Sequence, residues 1–173
     1  MDRLAPSLII AAVILTIFAL MALGWRARRR RQSGLARPVL APASLGSASV
    51  SVDGWYVATT LADLPLERVA VHGLGFRARA RAAVHPEGLV LEVGGQQPIF
   101  IEPASLRGSG RATWAIDRVV ERDGLVLIGW MLGDTPVDTY LRVPDPAAAA
   151  AVLNAVQAMT PEPATTTAEG TAS

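Results

Sequence analysis

Between residues 7 and 24 the chain reads SLIIAAVILTIFALMALG, eighteen residues without a charge or a proline. At ~1.5 Å per residue a helix of that length covers roughly 27 Å, close to the ~30 Å hydrocarbon core of a bilayer once Pro6 and Trp25 are added. No polar face interrupts the run, which separates it from the amphipathic helix of a soluble domain. Trp25 follows at once, and then Arg26, Arg28, Arg29, Arg30 and Arg31. An indole ring suits the headgroup layer, and a basic cluster stays on the cytoplasmic side, where it can contact anionic lipid headgroups. The other flank offers only the α-amine and Arg3 against Asp2. Residues 1–31 therefore read as a single-pass anchor in the cell (inner or plasma) membrane, with the bilayer contacted through residues 7–24. The N-terminus is expected outside and everything after Arg31 in the cytoplasm. The competing reading is a cleaved signal peptide, cut near Ala22-Leu23-Gly24, with an exported β domain behind it. The inverted charge bias and the Arg run after the apolar core oppose it.

Charge is divided along the chain in the same sense. Every one of the 16 basic residues is Arg, and 15 residues are acidic, for a net charge of +1. Residues 1–40 hold seven Arg against Asp2, a net +6, whereas residues 50–159 hold nine Arg against twelve acids, a net −3. A mildly acidic domain is a poor nucleic-acid binder, because phosphate neutralisation needs a basic surface on the domain itself. The absence of cysteine excludes disulfides, thiolate metal sites and cysteine nucleophiles.

Residues 32–49 are rich in Ala, Pro, Ser and Gly and read as a flexible linker, with an r.m.s. reach near ~23 Å. Residues 160–173 hold no large apolar residue and are expected to be disordered. Between them, residues 50–159 suffice for one core and read mainly as short strands. The candidates are 54–61, 68–72, 76–84, 89–93, 98–102, 111–120, 125–132 and 137–143, with turn chemistry at His85-Pro86-Glu87-Gly88, Arg122-Asp123-Gly124 and Gly133-Asp134-Thr135-Pro136. A helix over 147–159 closes the domain. Asp145 is its N-cap, Pro146 its first residue, and Ala149, Val152, Leu153, Val156 and Met159 share one face.

Seven or eight strands in a bent sheet or barrel, capped by one C-terminal helix, is the pattern of pleckstrin-homology (PH)-like domains. Specific residues carry the likeness further: the Arg-flanked anchor, His72-Gly73-Leu74-Gly75-Phe76-Arg77, Asp123-Gly124-Leu125, Gly129-Trp130, and Asp138-Thr139-Tyr140-Leu141-Arg142 before the helix. Over roughly residues 5–160 the chain resembles small single-pass membrane proteins of high-GC actinobacteria that carry a PH-like domain. The resemblance rests on no catalytic motif and implies a cytoplasmic interaction domain of uncharacterised function. Members often labelled as transporters lend nothing here, since one transmembrane helix forms no substrate pathway.

Several motifs invite sharper readings. Gly73-x-Gly75-x-x-Ala78, with Glu92 further on, imitates a dinucleotide fingerprint and would make a small enzyme or nucleotide-cofactor protein. That motif needs a helix after the glycines, and residues 76–84 alternate with period 2. In a strand, Arg77, Arg79 and Arg81 share one face, a candidate site for an anionic ligand, with Ala78, Ala80 and Ala82 on the other. Arg81 would then lie across from Glu92. His72 and His85 are the only histidines and read as turn residues, not metal ligands. The loop Arg107-Gly108-Ser109-Gly110-Arg111 reads as a mobile hairpin rather than an anion nest. Trp55, Trp114 and Trp130 read as core or sheet-packing residues, with a ligand-stacking role for one of them as the alternative. Asp138, Thr139 and Arg142 either hold the last strand to the helix or mark a partner surface.

Taken together, these residues describe a non-catalytic, membrane-tethered module with no cofactor and no metal. It is expected to bind a protein partner ahead of a lipid headgroup. The orientation is testable directly: a reporter fused after Ser173 should be active only in the cytoplasm, and activity outside the membrane would reverse the assignment.

Overall fold

The computed structural model describes residues 4–112, 114, 115, 118, 119 and 124–161. It begins with α1 (Leu4–Arg31), one continuous helix that carries the Arg cluster as its last turns. Its stretch Ser7–Ala27 has a mean hydropathy of 2.6 and no burial against the protein, so it is long and apolar enough to cross a membrane.

The rest is one antiparallel sheet with a helix on it. In chain order come β1 (Val39–Leu40), β2 (Val50–Leu61), β3 (Leu64–Arg68), β4 (Ala78–His85), β5 (Gly88–Val93), β6 (Ile99–Ile101) and β7 (Leu106–Ala112). These are followed by the short ribbon β8 (Trp114–Ala115) and β9 (Arg118–Val119), then β10 (Leu125–Leu132), β11 (Thr135–Arg142) and α2 (Pro146–Met159). Among the described residues, nine strands form a sheet in the order β1-β6-β5-β4-β2-β11-β10-β7, with β3 added on β2. The sheet does not close, since β1 and β7 end it on opposite sides. It is a helix-capped antiparallel sheet as expected, with nine strands against the seven or eight read from the sequence, and with open edges in place of a barrel seam.

The 12-residue strand β2 is the hub. Its first half pairs with β4 and its second half with β11, while Thr60 and Leu61 reach β3. Gly54 is required at the handover, because a Cβ there would lie 2.5 Å from the Arg142 carbonyl oxygen. On the inner face α2 covers the sheet with buried Ala149, Val152, Leu153 and Val156. The Asp145 carboxylate accepts from the Ala147 N–H at 3.0 Å, and the Thr160 hydroxyl donates to the Val156 carbonyl at 2.8 Å. Both helix ends thus stop where the sequence places its caps.

A chain of hydroxyls runs through this core. Trp130 Nε1 donates to Thr139 Oγ1 at 2.9 Å, Thr139 and Thr59 hydroxyls meet at 2.8 Å, and Tyr56 Oη lies 2.8 Å from both Thr59 Oγ1 and the Leu74 carbonyl. The indole only donates and the carbonyl only accepts, so one proton per hydroxyl runs in a single direction from Trp130 to Leu74. Burial raises the Tyr56 phenol further above its ordinary value and keeps that last proton in place.

Four sequence readings change. Residues 68–72 are not a strand: β3 ends at Arg68, and the chain then turns through His72 and Gly73, both with positive φ. Residues 107–111, read as a mobile loop, lie inside β7, which pairs with β10 and whose Ser109 hydroxyl donates to the Leu153 carbonyl of α2 at 3.2 Å. Residues 111–120 are accordingly split between β7, β8 and β9. The turn at 122–124 falls largely outside the described residues, as do the Trp114 side chain and residues 162–173 of the tail.

The linker 32–49 is the fourth. Val39 and Leu40 pair with β6, and Ala41 and Leu45 cover Ala83, Val90 and Phe100 on the outer face. Both histidines hold it: His72 Nε2 lies 2.9 Å from the Leu35 carbonyl oxygen and His85 Nδ1 2.7 Å from that of Gly46. Isolated apolar residues and carbonyls in this segment each find a different element, so it lies on the domain and does not hang free.

Val152 is completely buried beneath α2. Val152→Asp should cost about 3 kcal/mol or more, because a buried unpaired charge has no compensation. Thermal unfolding of the detergent-solubilised full chain checks this, and an unchanged melting temperature would mean that α2 is not packed on the sheet.

Candidate interaction site

The three arginines singled out in the sequence do not act as one group. Arg79 and Arg81 lie on β4, and Arg77 sits one residue before it. The register sets Trp55 of β2 across from Arg79 and Asp53 across from Arg81. The Arg79 guanidinium stands 5.0 Å from the centre of the Trp55 ring and that of Arg77 5.7 Å. Arg81 turns instead to Asp53, with Nε donating to Oδ1 at 2.8 Å and a second contact at 3.4 Å. This hydrogen-bonded partner holds the Asp53 carboxyl below its ordinary value and raises the Arg81 guanidinium. Glu92 faces Arg81 in the register as expected, yet the ion pair goes to Asp53.

Trp55 is therefore not a core residue. It is 36% exposed and forms one wall of an open groove of about 790 Å³, with Arg79, Glu92, Gly94, Gln96 and Pro98 around it. Among the described residues Arg77 and Arg79 make no ion pair. Their guanidinium faces rest on the ring and leave N–H edges for an incoming acceptor. Sequence periodicity found the Arg face but not its pairing with Trp55 and Asp53. Their i, i+2 spacing matches that of Arg79 and Arg81, a signal usable only once β2 and β4 are known to pair.

A second hollow, of about 500 Å³, lies where α1 meets the domain and includes Arg31, Gln32, Leu35, Leu66 and Arg68 in its walls. Gln32 closes this joint with both ends of its amide. Nε2 donates to the Arg68 carbonyl at 2.8 Å, and Oε1 accepts from the Ala70 N–H at 2.7 Å. Of the anchor residues, Trp25, Arg26, Arg30 and Arg31 are exposed on the helix, while Arg28 and Arg29 are helical with side chains outside the described residues.

The remaining motifs resolve into structure. The chain passes from Gly73 and Gly75 directly into β4, with no helix, and the Gln96 side chain occupies the space over Gly73. A dinucleotide site has neither its helix nor its room there. Among the described residues no three His, Cys, Asp or Glu side chains form a metal cluster. Trp130 and Thr139 belong to the buried hydroxyl chain, and Arg142 is exposed.

A family model described as bacterial PH domain-like matches residues 35–157. No curated protein and no solved structure matches the chain.

Asp138 supplies a pH test. Partial burial raises its carboxyl above the ordinary value of 3.8, Arg107 pulls it back and Asp63 adds to the rise. A carboxyl whose folded value is raised opposes folding while charged, and the penalty disappears as pH falls through that raised value. Asp138→Asn should therefore melt higher than wild type at neutral pH, with the difference vanishing below pH 3.8. A difference independent of pH, followed by circular dichroism, would show that charge is not the cause.

Proposed function

The chain belongs to the bacterial PH domain-like family, and from that premise we propose a non-catalytic interaction module held at the cytoplasmic face of the cell membrane by α1. Its ligand in this reading is an acidic segment of a protein partner, bound on the Trp55–Arg77–Arg79 face. Fold alone assigns no ligand, so the reading rests on the site. The observation that carries it is the pair of guanidinium groups stacked on one half-exposed indole beside an open groove. Stacking at an exposed ring contributes only about 0.5–1 kcal/mol each, but it fixes the planes so that carboxylates can meet them edge-on.

A bilayer meets the charge of the whole domain, whereas a short acidic segment meets mainly the local Arg77–Arg79 face, so charge favours a peptide over a membrane there. Residues 50–159 carry a net −3, and Arg81 is already neutralised by Asp53. The attraction to anionic lipid, ~1 kcal/mol per basic residue near the surface, belongs to the cluster from Arg26 to Arg31. Anchoring then raises the effective concentration of the domain for partners at the same membrane.

The test places a photo-crosslinking residue at Gln96, in the groove, or at Asn154, exposed on α2, in the full chain in native membranes. Gln96 should yield a discrete protein adduct that Asn154 does not, and Arg79→Glu should abolish it without lowering the melting temperature. An adduct that survives Arg79→Glu would remove the site from consideration. Arg79-dependent co-sedimentation of residues 32–161 with phosphatidylglycerol vesicles would assign the face to a lipid headgroup instead.

A further inference from the structure

We infer that the β2–β3 hairpin is a second membrane contact, with Leu64 and Leu66 seated in the headgroup layer of the bilayer that α1 enters. The inference rests on the reading of α1 as a membrane span and adds a docking surface on the domain itself.

Position comes first. The apolar stretch of α1 ends at Ala27, and Arg31 stands four residues further on, ~6 Å along the helix axis. The headgroup region adds about 5–8 Å beyond the hydrocarbon on each side. The end of α1 is thus at headgroup depth. Gln32, the next residue, is bonded to the Arg68 carbonyl and the Ala70 N–H, so the end of β3 is fixed against the end of the helix. Leu35 reinforces this through His72. Leu66 and Arg31 line the same hollow.

The chemistry of β3 agrees with that depth. Leu64 is 50% exposed and Leu66 73%, the latter in an irregular stretch of β3 that makes no registered pair with β2. Glu67 lines the hollow together with Leu66 and Arg31, and Asp63 sits in the turn before the strand with a left-handed backbone, φ 63°. Strand β3 is bonded to β2 at only two registered pairs, and among the described residues no strand lies beyond it. Two leucines on such an edge are a liability in water, which proteins usually relieve by covering them. Here the bilayer interface is the surface that the helix necessarily brings to them, and Arg31 supplies the matching cation for anionic headgroups.

With the helix and the hairpin both engaged, rotation of the domain about the α1 axis is restricted. The Trp55 groove would then face a set direction relative to the membrane plane.

The chain has no cysteine, so single cysteines report cleanly. Leu64→Cys, Leu66→Cys, Leu15→Cys and Asn154→Cys, each in the full chain, are labelled with an environment-sensitive fluorophore and reconstituted into phosphatidylcholine–phosphatidylglycerol vesicles. Nitroxide lipids carry the quencher either near the headgroup or near the acyl-chain end. The expected result is quenching at Leu15 by the deep probe, and at Leu64 and Leu66 by the shallow probe severalfold more than at Asn154. Leu15 quenched with Leu64 and Leu66 silent overturns the hairpin contact and leaves the span intact. Leu15 silent overturns the span, and the inference with it. Equal quenching at Asn154 and Leu66 also overturns it, since the contact would then not be specific to the hairpin.

Discussion

The buried hydroxyl chain from Trp130 to Leu74 ties the central strands of the sheet to an irregular segment that makes no ladder with them. It joins β10, β11 and β2 and ends on the carbonyl of an irregular segment, which it holds against the core. That segment, residues 69–75, presents the Ala70 N–H and the His72 ring to Gln32 and Leu35. The position of the helix end thus depends, through two steps, on a threonine pair in the middle of the sheet. Loss of one member would leave a buried donor or acceptor unsatisfied, at about 1–3 kcal/mol, and would loosen the segment that carries the joint.

The joint changes how α1 is connected to the rest of the chain. A free tether of eighteen residues would allow the domain to turn in any direction within its reach. Instead, Gln32, His72 and His85 fasten the segment at three places, and Val39 and Leu40 extend the sheet. The two histidines, whose commonest functional reading is metal ligation, have structural partners on this segment. The family match begins at residue 35, inside it, which agrees with its being part of the domain.

The Trp55 face follows from a similar division of labour. Three arginines at alternate positions look equivalent in the sequence, and the fold makes them unequal. Two stack on Trp55 and keep their donors outward, while Arg81 is consumed by Asp53. The distinction lies wholly on β2, whose register with β4 decides which arginine meets an aromatic ring and which meets a carboxylate.

What could be read from residues alone is what short-range chemistry controls. The apolar run of α1, the period-2 strand β4, the apolar strand β5, the Pro86-Glu87 turn between them, and the caps of α2 at Asp145 and Thr160 are all settled within a few residues of chain. The same holds for the arginine periodicity. The tertiary structure decided the rest: β1 inside an apparent linker, β7 inside an apparent loop, the Gln32 joint, and the partners of Arg79 and Arg81. Each of these joins groups tens of residues apart, and a single backbone carbonyl, amide or exposed leucine carries no local pattern by which its distant partner could be known. Only the folded sheet, with its pairings between distant strands, brings them within bonding distance.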